Sequence, residues 1–153
     1  MTITDKLNEV KIVLPLPASP AANYVPFVVQ NKLVYISGQL PMDKGKLAYS
    51  GIVGKERTQE DAVKAAELCA INILSQLNVA CNGNLEKVTR CIKLGVFVAS
   101  TPEFTTHPAV GNGASNLIAN IFGEKGKHAR FAVGVSSLPL NATVEIDALF
   151  AIE

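Results

Sequence analysis

The sequence predicts an α+β domain in which a mixed six-stranded sheet carries two helices on one face, in the order βββαβαββ. Three observations predict it. Apolar, β-branched runs recur over residues 7–38, at 88–99 and again near the C-terminus. Two stretches between them, after Thr58 and after Pro108, space their apolar residues three or four apart. No repeat, linker or charge block interrupts the 153 residues, so residues 1–153 read as one domain.

The elements follow in order. Val10, Ile12 and Leu14 alternate, which predicts a first strand over residues 7–14, and Pro15, Pro17 and Pro20 punctuate the loop after it. Residues 25–38 hold two apolar runs around Gln30-Asn31-Lys32, a hairpin pattern, and a loop bearing Gly45, Gly51 and Gly54 comes next. Thr58 is a good N-cap, and Glu60 and Asp61 suit the positive end of the helix dipole. Val63, Ala66, Ala70, Leu74 and Leu77 give that helix its apolar stripe, Cys69 falls within it, and Gly83 lies beyond its end. Residues 88–99 read as a strand. Pro108 stands near the start of a second helix with Val110, Ala114, Leu117, Ile118 and Ile121 on one side and Gly123 at its end. Residues 130–136 and 143–152 are the last two strands, joined by the turn Leu138-Pro139-Leu140-Asn141. The strands are apolar on more than one face, as at Val133, Val135, Ile146 and Ala148. With 48% apolar and only 18% charged residues, this predicts an oligomer that covers the second sheet face.

Composition excludes several functions. Lys and Arg number 14 against 13 Asp and Glu, a net charge of +1 that makes no global electrostatic case for nucleic acid or a membrane surface. No run of about 18 apolar residues is present to span a bilayer, and the N-terminus lacks the apolar stretch of a signal peptide, so a cytoplasmic protein is expected. Cys69, Cys81 and Cys91 are odd in number and match no zinc spacing, and His107 and His128 each stand alone, so no metal is expected. No G-x-S-x-G surrounds Ser37, no Walker pattern exists, and Gly111 and Gly113 before a helix are a weak phosphate signal. A nuclease using the two histidines as acid and base would need them side by side, and nothing in the pattern favours that.

The candidate site residues are few. Arg130 opens an otherwise apolar strand. From the pattern alone it reads equally as a solvated charge or as a carboxylate anchor, for which the planar guanidinium fork is suited and lysine is not. Glu145 lies between Val144 and Ile146 on the last strand. A hairpin would carry it back beside Arg130, as an ion-pair partner or a group that positions water. Tyr24 lies in a loop, and Ser37-Gly38-Gln39-Leu40-Pro41 follows a strand in the manner of a turn.

Together these residues resemble the RidA family, also called YjgF/YER057c/UK114 or L-PSP, over most of the chain from about Tyr24 to Ala151. The most specific match is Ala129-Arg130, then Leu138-Pro139, then Val144-Glu145-Ile146-Asp147-Ala148. The resemblance implies a chorismate-mutase-like fold and a homotrimer whose sheets form a central barrel, with clefts between subunits. It implies hydrolysis of 2-aminoacrylate-type enamines and imines to 2-oxoacids and ammonia, with no cofactor. Arg130 would hold the substrate carboxylate and Glu145 the attacking water. Tyr24 would close the pocket from a neighbouring subunit, and backbone groups at Ser37 and Gly38 would orient water or substrate. With two departures the chain resembles a longer branch often named endoribonuclease: Ala132 stands where many members have cysteine, and the second helix reads Gly111-Asn112-Gly113-Ala114-Ser115-Asn116. The alternatives to a deaminase are a non-catalytic trimer that binds 2-oxoacids, and an RNA-cleaving enzyme.

Overall fold

Two threonines open the first two helices by the same device. Thr58 Oγ1 accepts the backbone N–H of Asp61, and the Asp61 carboxylate accepts the N–H of Thr58, so α2 (Gln59–Ala80) begins on a reciprocal capping box. Thr2 and Asp5 repeat the arrangement at α1 (Ile3–Glu9). That second box overturns the strand expected over residues 7–14. Residues 7–9 end a helix, and Ile12 and Leu14 lie against the core from an unpaired connection. Their alternation marks an extended segment on an apolar surface, not a strand in a sheet. The computed structural model describes residues 1–17, 19 and 22–153, so Pro20 of the expected loop lies outside the described residues.

The hairpin expected over residues 25–38 is present as β1 (Phe27–Gln30) and β2 (Leu33–Gln39). Asn31 and Lys32 turn it with φ of 53° and 62°, the two consecutive left-handed residues that match the twist of paired strands. The glycine-bearing loop folds a small hairpin of its own, β3 (Met42–Asp43) and β4 (Lys46–Leu47). Then come β5 (Val88–Ala99), α3 (His107–Phe122), β6 (Ala129–Val135) and β7 (Val144–Ile152). Gly123 stops α3 with a φ of 62°.

The main sheet has the order β1-β2-β7-β5-β6. β5 and β6 are parallel and connect through α3; every other pair is antiparallel. The sheet is mixed, as expected, but among the described residues it has five strands and the chain has three α-helices. Helices α2 and α3 cover one face. Leu94, Val96, Val98, Ile146 and Phe150 are fully buried beneath them, with Cys69, Ile73 and Leu74 of α2 above. Each such aliphatic or aromatic side chain contributes about 1.5–3 kcal/mol. The helices touch backbone to backbone: a Cβ on Gly113 would overlap the carbonyl of Val63. On the other face Val28, Tyr35 and Val133 stay 49%, 48% and 41% exposed. Among the described residues no helix is long and apolar enough to cross a membrane.

Candidate functional site

β2 and β7 change register at the Ser-Gly-Gln run. Ile36 faces Ala148 but Gln39 faces Ile146, so Ser37 and Gly38 stand opposite the single residue Asp147. The run expected as a turn is a β-bulge, the device that bends a strand and re-aims its side chains. Ser37 is used structurally: its hydroxyl donates to the Val25 carbonyl at 2.8 Å and its N–H to Pro26 at 2.9 Å, which ties the Tyr24 loop to β2. At Gly38 a Cβ would overlap Oε2 of Glu145, so only glycine lets that carboxylate lie on the bulge. Tyr24, Gly38, Gln39, Met42, Leu140 and Glu145 are among the residues lining a cavity of about 210 Å³. Tyr24 thus shares a cavity with Glu145 within one subunit.

Glu145 is half-buried and has no ion-pair partner among the described residues. Burial raises its pKa above the usual carboxylate range, and the nearby carboxylate of Asp147 pushes it further. Asp147 is itself raised by burial, opposed by the Gly95 N–H and by Lys93. Sequence reasoning missed Asp147 as a neighbour; its position two residues along β7, on the same face, was the available signal.

Arg130 lies elsewhere. Its side chain rests on α3, where Nη1 donates to Asn112 Oδ1 and Ser115 Oγ at 3.0 Å each, and Nη2 donates to the Pro108 carbonyl at 3.2 Å. Gly111 makes this approach possible, since a Cβ there would stand 2.9 Å from Nη1. Three of the five guanidinium N–H groups are engaged, leaving Nε–H and one Nη2–H. The expected hairpin juxtaposition of Arg130 and Glu145 does not form. β5 runs between β6 and β7, Arg130 sits level with Ala148, and Glu145 is level with Phe97. Arg130 faces the helices, and Glu145 faces the bulge on the opposite side of the sheet.

The divergent helix therefore supplies groups that the sequence did not single out. Asn112 and Ser115, three residues apart, lie on one helix face, and His128 meets Ser115 at 2.8 Å. His107 instead lies 3.2 Å from Ser100 and edge-on to Phe104. The two histidines do not meet. Among the described residues no cluster of His, Cys, Asp or Glu could hold a metal. Cys69, Cys81 and Cys91 are buried free thiols, with Cys91 pushed up to about 12 chiefly by burial, so none is a ready nucleophile.

Comparison with known proteins matches residues 5–152 to the family described as "YjgF/chorismate_mutase-like, putative endoribonuclease". Protein TCP17 of Trypanosoma cruzi is 44% identical over 148 residues, covering 96% of this chain and 92% of the relative. A 2-iminobutanoate/2-iminopropanoate deaminase of Dermatophagoides farinae is 27% identical over 139 residues, 91% and 93% of the two chains. The crystal structure of Atu1372, a protein with unknown function from Agrobacterium tumefaciens, superposes with a TM-score of 0.93 at 54% identity, covering 99% of this chain and 92% of that one.

Proposed function

Because the chain belongs to the YjgF/chorismate-mutase-like endoribonuclease family, and its resemblance to the RidA pattern falls on Arg130 and Glu145, we propose that it is an imine deaminase. It hydrolyses 2-aminoacrylate-type enamines and imines to 2-oxoacids and ammonia. The observation that carries this reading is the unpaired Glu145 carboxylate, held against Gly38 in the Tyr24 cavity with its proton affinity raised. The similarity to a named 2-iminobutanoate/2-iminopropanoate deaminase supports it.

One subunit keeps Arg130 and Glu145 on opposite sheet faces, so the working site joins two copies. The assembly we propose is a homotrimer with clefts between subunits, the open sheet faces turned inward, at work in the cytoplasm, where free thiols are the rule. The free N–H groups of Arg130 hold the substrate carboxylate as a charge-assisted pair. Glu145 of a neighbouring copy orients and deprotonates the attacking water, a role that contributes a factor of about 10²–10⁴. A raised pKa makes it a stronger base than a solvated glutamate. Tyr24 closes the cavity over the reacting carbon. No cofactor takes part in these steps.

The test is hydrolysis of 2-iminopropanoate, generated in situ from serine by a dehydratase, with pyruvate and ammonia measured above the buffer rate. Catalysed release of both supports the deaminase. Pyruvate binding at Arg130 without any catalysed release leaves a 2-oxoacid-binding protein instead.

A further inference from the structure

Arg130 presents its free edge on a definite side. Nη1 is taken by Asn112 and Ser115, well inside α3, and Nη2 by the Pro108 carbonyl near the start of that helix. The Nε–H and Nη2–H edge left for a carboxylate therefore lies opposite Ser115, on the flank that meets Pro108. One residue further back stands His107, and there a second cavity opens. It measures about 570 Å³, and Lys55, Ser100, Phe104, His107, Gly134 and Ser136 are among the residues that line it. Arg130, Ala132 and Gly134 alternate onto the α3 side of β6. The strand thus leads from the anchor to this cavity in two steps of roughly 6–7 Å each.

The His107 cavity is built on tied backbone. Ser100 N–H donates to the Val135 carbonyl at 3.1 Å and Thr101 N–H to the Val53 carbonyl at 3.0 Å, which joins the ends of β5 and β6 to the segment before Lys55. His107 is fixed within it. Nε2 lies 3.2 Å from Ser100 Oγ, and the ring stands edge-on to Phe104 with centroids 5.2 Å apart. Gly134 makes room for the ring, since a Cβ there would stand 2.5 Å from Nε2. The chemistry of this cavity is the reverse of that around Tyr24, where Glu145 supplies a carboxylate. No Asp or Glu lines the His107 cavity among the described residues. Lys55 brings an ammonium, and Ser100, His107 and Ser136 bring groups able to donate. The Lys55 ammonium and the Ser136 hydroxyl have no ion-pair or hydrogen-bond partner among the described residues.

We propose that the preferred substrates are 2-imino dicarboxylates, with one carboxylate on Arg130 and the side-chain carboxylate in the His107 cavity against Lys55. The proposal rests on the deaminase reading above and names its substrate class. An anionic side chain turns to this cavity because the other one at the shared site holds Glu145 of the neighbouring copy, and like charges at close range disfavour each other. Phe104 offers an apolar wall to the methylenes between the two carboxylates. The ammonium of Lys55 and the hydroxyl of Ser136 then gain the acceptor they lack, in charge-assisted contacts. Water adds its oxygen to C2, and its two hydrogens end on nitrogen. The C–N bond breaks with its electron pair on ammonia, and a 2-oxo dicarboxylate is left.

The test compares two imines, 2-iminoglutarate and 2-iminopropanoate, generated in situ from glutamate and alanine by amino-acid oxidases, with 2-oxoacid release measured above the buffer rate. The expected result is a kcat/KM for 2-iminoglutarate about tenfold above that for 2-iminopropanoate, the factor that one charge-assisted contact supplies. Lys55→Gln should lower the ratio of the two values about tenfold, chiefly through the KM of the dicarboxylate. Lys55→Glu should lower it further, because it sets a second anion in the cavity. A parent protein that hydrolyses 2-iminopropanoate and shows no preference for 2-iminoglutarate overturns the substrate class and leaves the deaminase standing. A parental ratio in Lys55→Gln also overturns it, and so do equal losses on both imines, because they would make Lys55 a support for the fold. A parent protein that hydrolyses neither imine overturns the deaminase reading and the substrate class together.

Discussion

Glu145 holds a charge that its surroundings disfavour. It is a half-buried carboxylate beside Asp147, and both groups are raised by burial. A carboxyl whose folded pKa lies above its unfolded value stabilises the fold below the unfolded value and loses that contribution as pH rises through the folded value. Glu145→Gln, which copies the protonated form, is therefore expected to raise Tm at pH 7 while it abolishes turnover. The gain in Tm should vanish near pH 3, well below the ordinary glutamate value of about 4.3, where the parent is protonated folded and unfolded. Thermal melts of both proteins at the two pH values check this, and a Tm for the variant below that of the parent at pH 7 would show that Glu145 makes stabilising contacts as an anion. Arg130 carries the opposite expectation. Lysine keeps the charge but offers one point of contact, and it cannot serve Asn112, Ser115, Pro108 and a ligand carboxylate at once. A charge-assisted hydrogen bond contributes about 1.5–3 kcal/mol, and about 1.4 kcal/mol is a factor of ten. Arg130→Lys should thus lose about 10–100-fold in kcat/KM. Parental imine hydrolysis and pyruvate affinity in this variant would remove Arg130 from the site.

At the scale of elements, the sequence is legible where one short stretch settles the outcome. Thr58 with Asp61 opens α2, and Val88–Ala99 forms a strand with the bounds its β-branched run predicts. Thr58→Ala removes the capping box, so it should cost about 1 kcal/mol in denaturant or thermal unfolding and leave kcat/KM unchanged, since α2 begins away from the Glu145 cavity. A loss of activity without loss of stability would connect the α2 start to the site. Long-range decisions were not legible. Nothing near Leu138-Pro139 says that β5 will slot between β6 and β7, and that insertion is what separates Arg130 from Glu145. The Ser-Gly-Gln bulge is defined by register against Asp147, a residue more than a hundred positions away. His128 looked solitary because its partner, Ser115, lies thirteen residues back across the end of α3. The alternation at residues 10–14 belongs to a segment lying on the core, and the Thr2-Asp5 capping box was the competing signal. The expected juxtaposition of Arg130 with Glu145 rests on a hairpin that does not form, and their joint role rests on resemblance to a family; spacing alone leaves Arg130 open between a solvated charge and an anchor.

On the proposed deaminase reading, the whole molecule has to reconcile two half-sites that one chain keeps apart. Val28, Tyr35 and Val133 are exposed on a sheet face that no element among the described residues covers, and only 18% of residues are charged. The shared-site proposal requires an assembly that buries this face and brings the β6 edge of one copy toward the Glu145 cavity of another. Sedimentation equilibrium should accordingly give three times the monomer mass at micromolar concentration. A sharper consequence follows from mixing two dead variants. In Arg130→Ala every copy lacks the anchor, and in Glu145→Gln every copy lacks the base, so each alone should be inactive. If each site takes its arginine from one subunit and its glutamate from the next, random reassembly of equal amounts gives about one quarter of the sites both native groups, because each is drawn independently with even odds in a closed ring of identical contacts. Mixed, unfolded and refolded together, the two variants should recover about one quarter of parental activity, whereas mixing without subunit exchange should recover none. If Arg130 and Glu145 served the same site from one chain, no mixture could place both native groups in it. Activity that stays at the background of the separate variants after verified exchange would therefore remove the shared-site arrangement, even if the trimer itself forms.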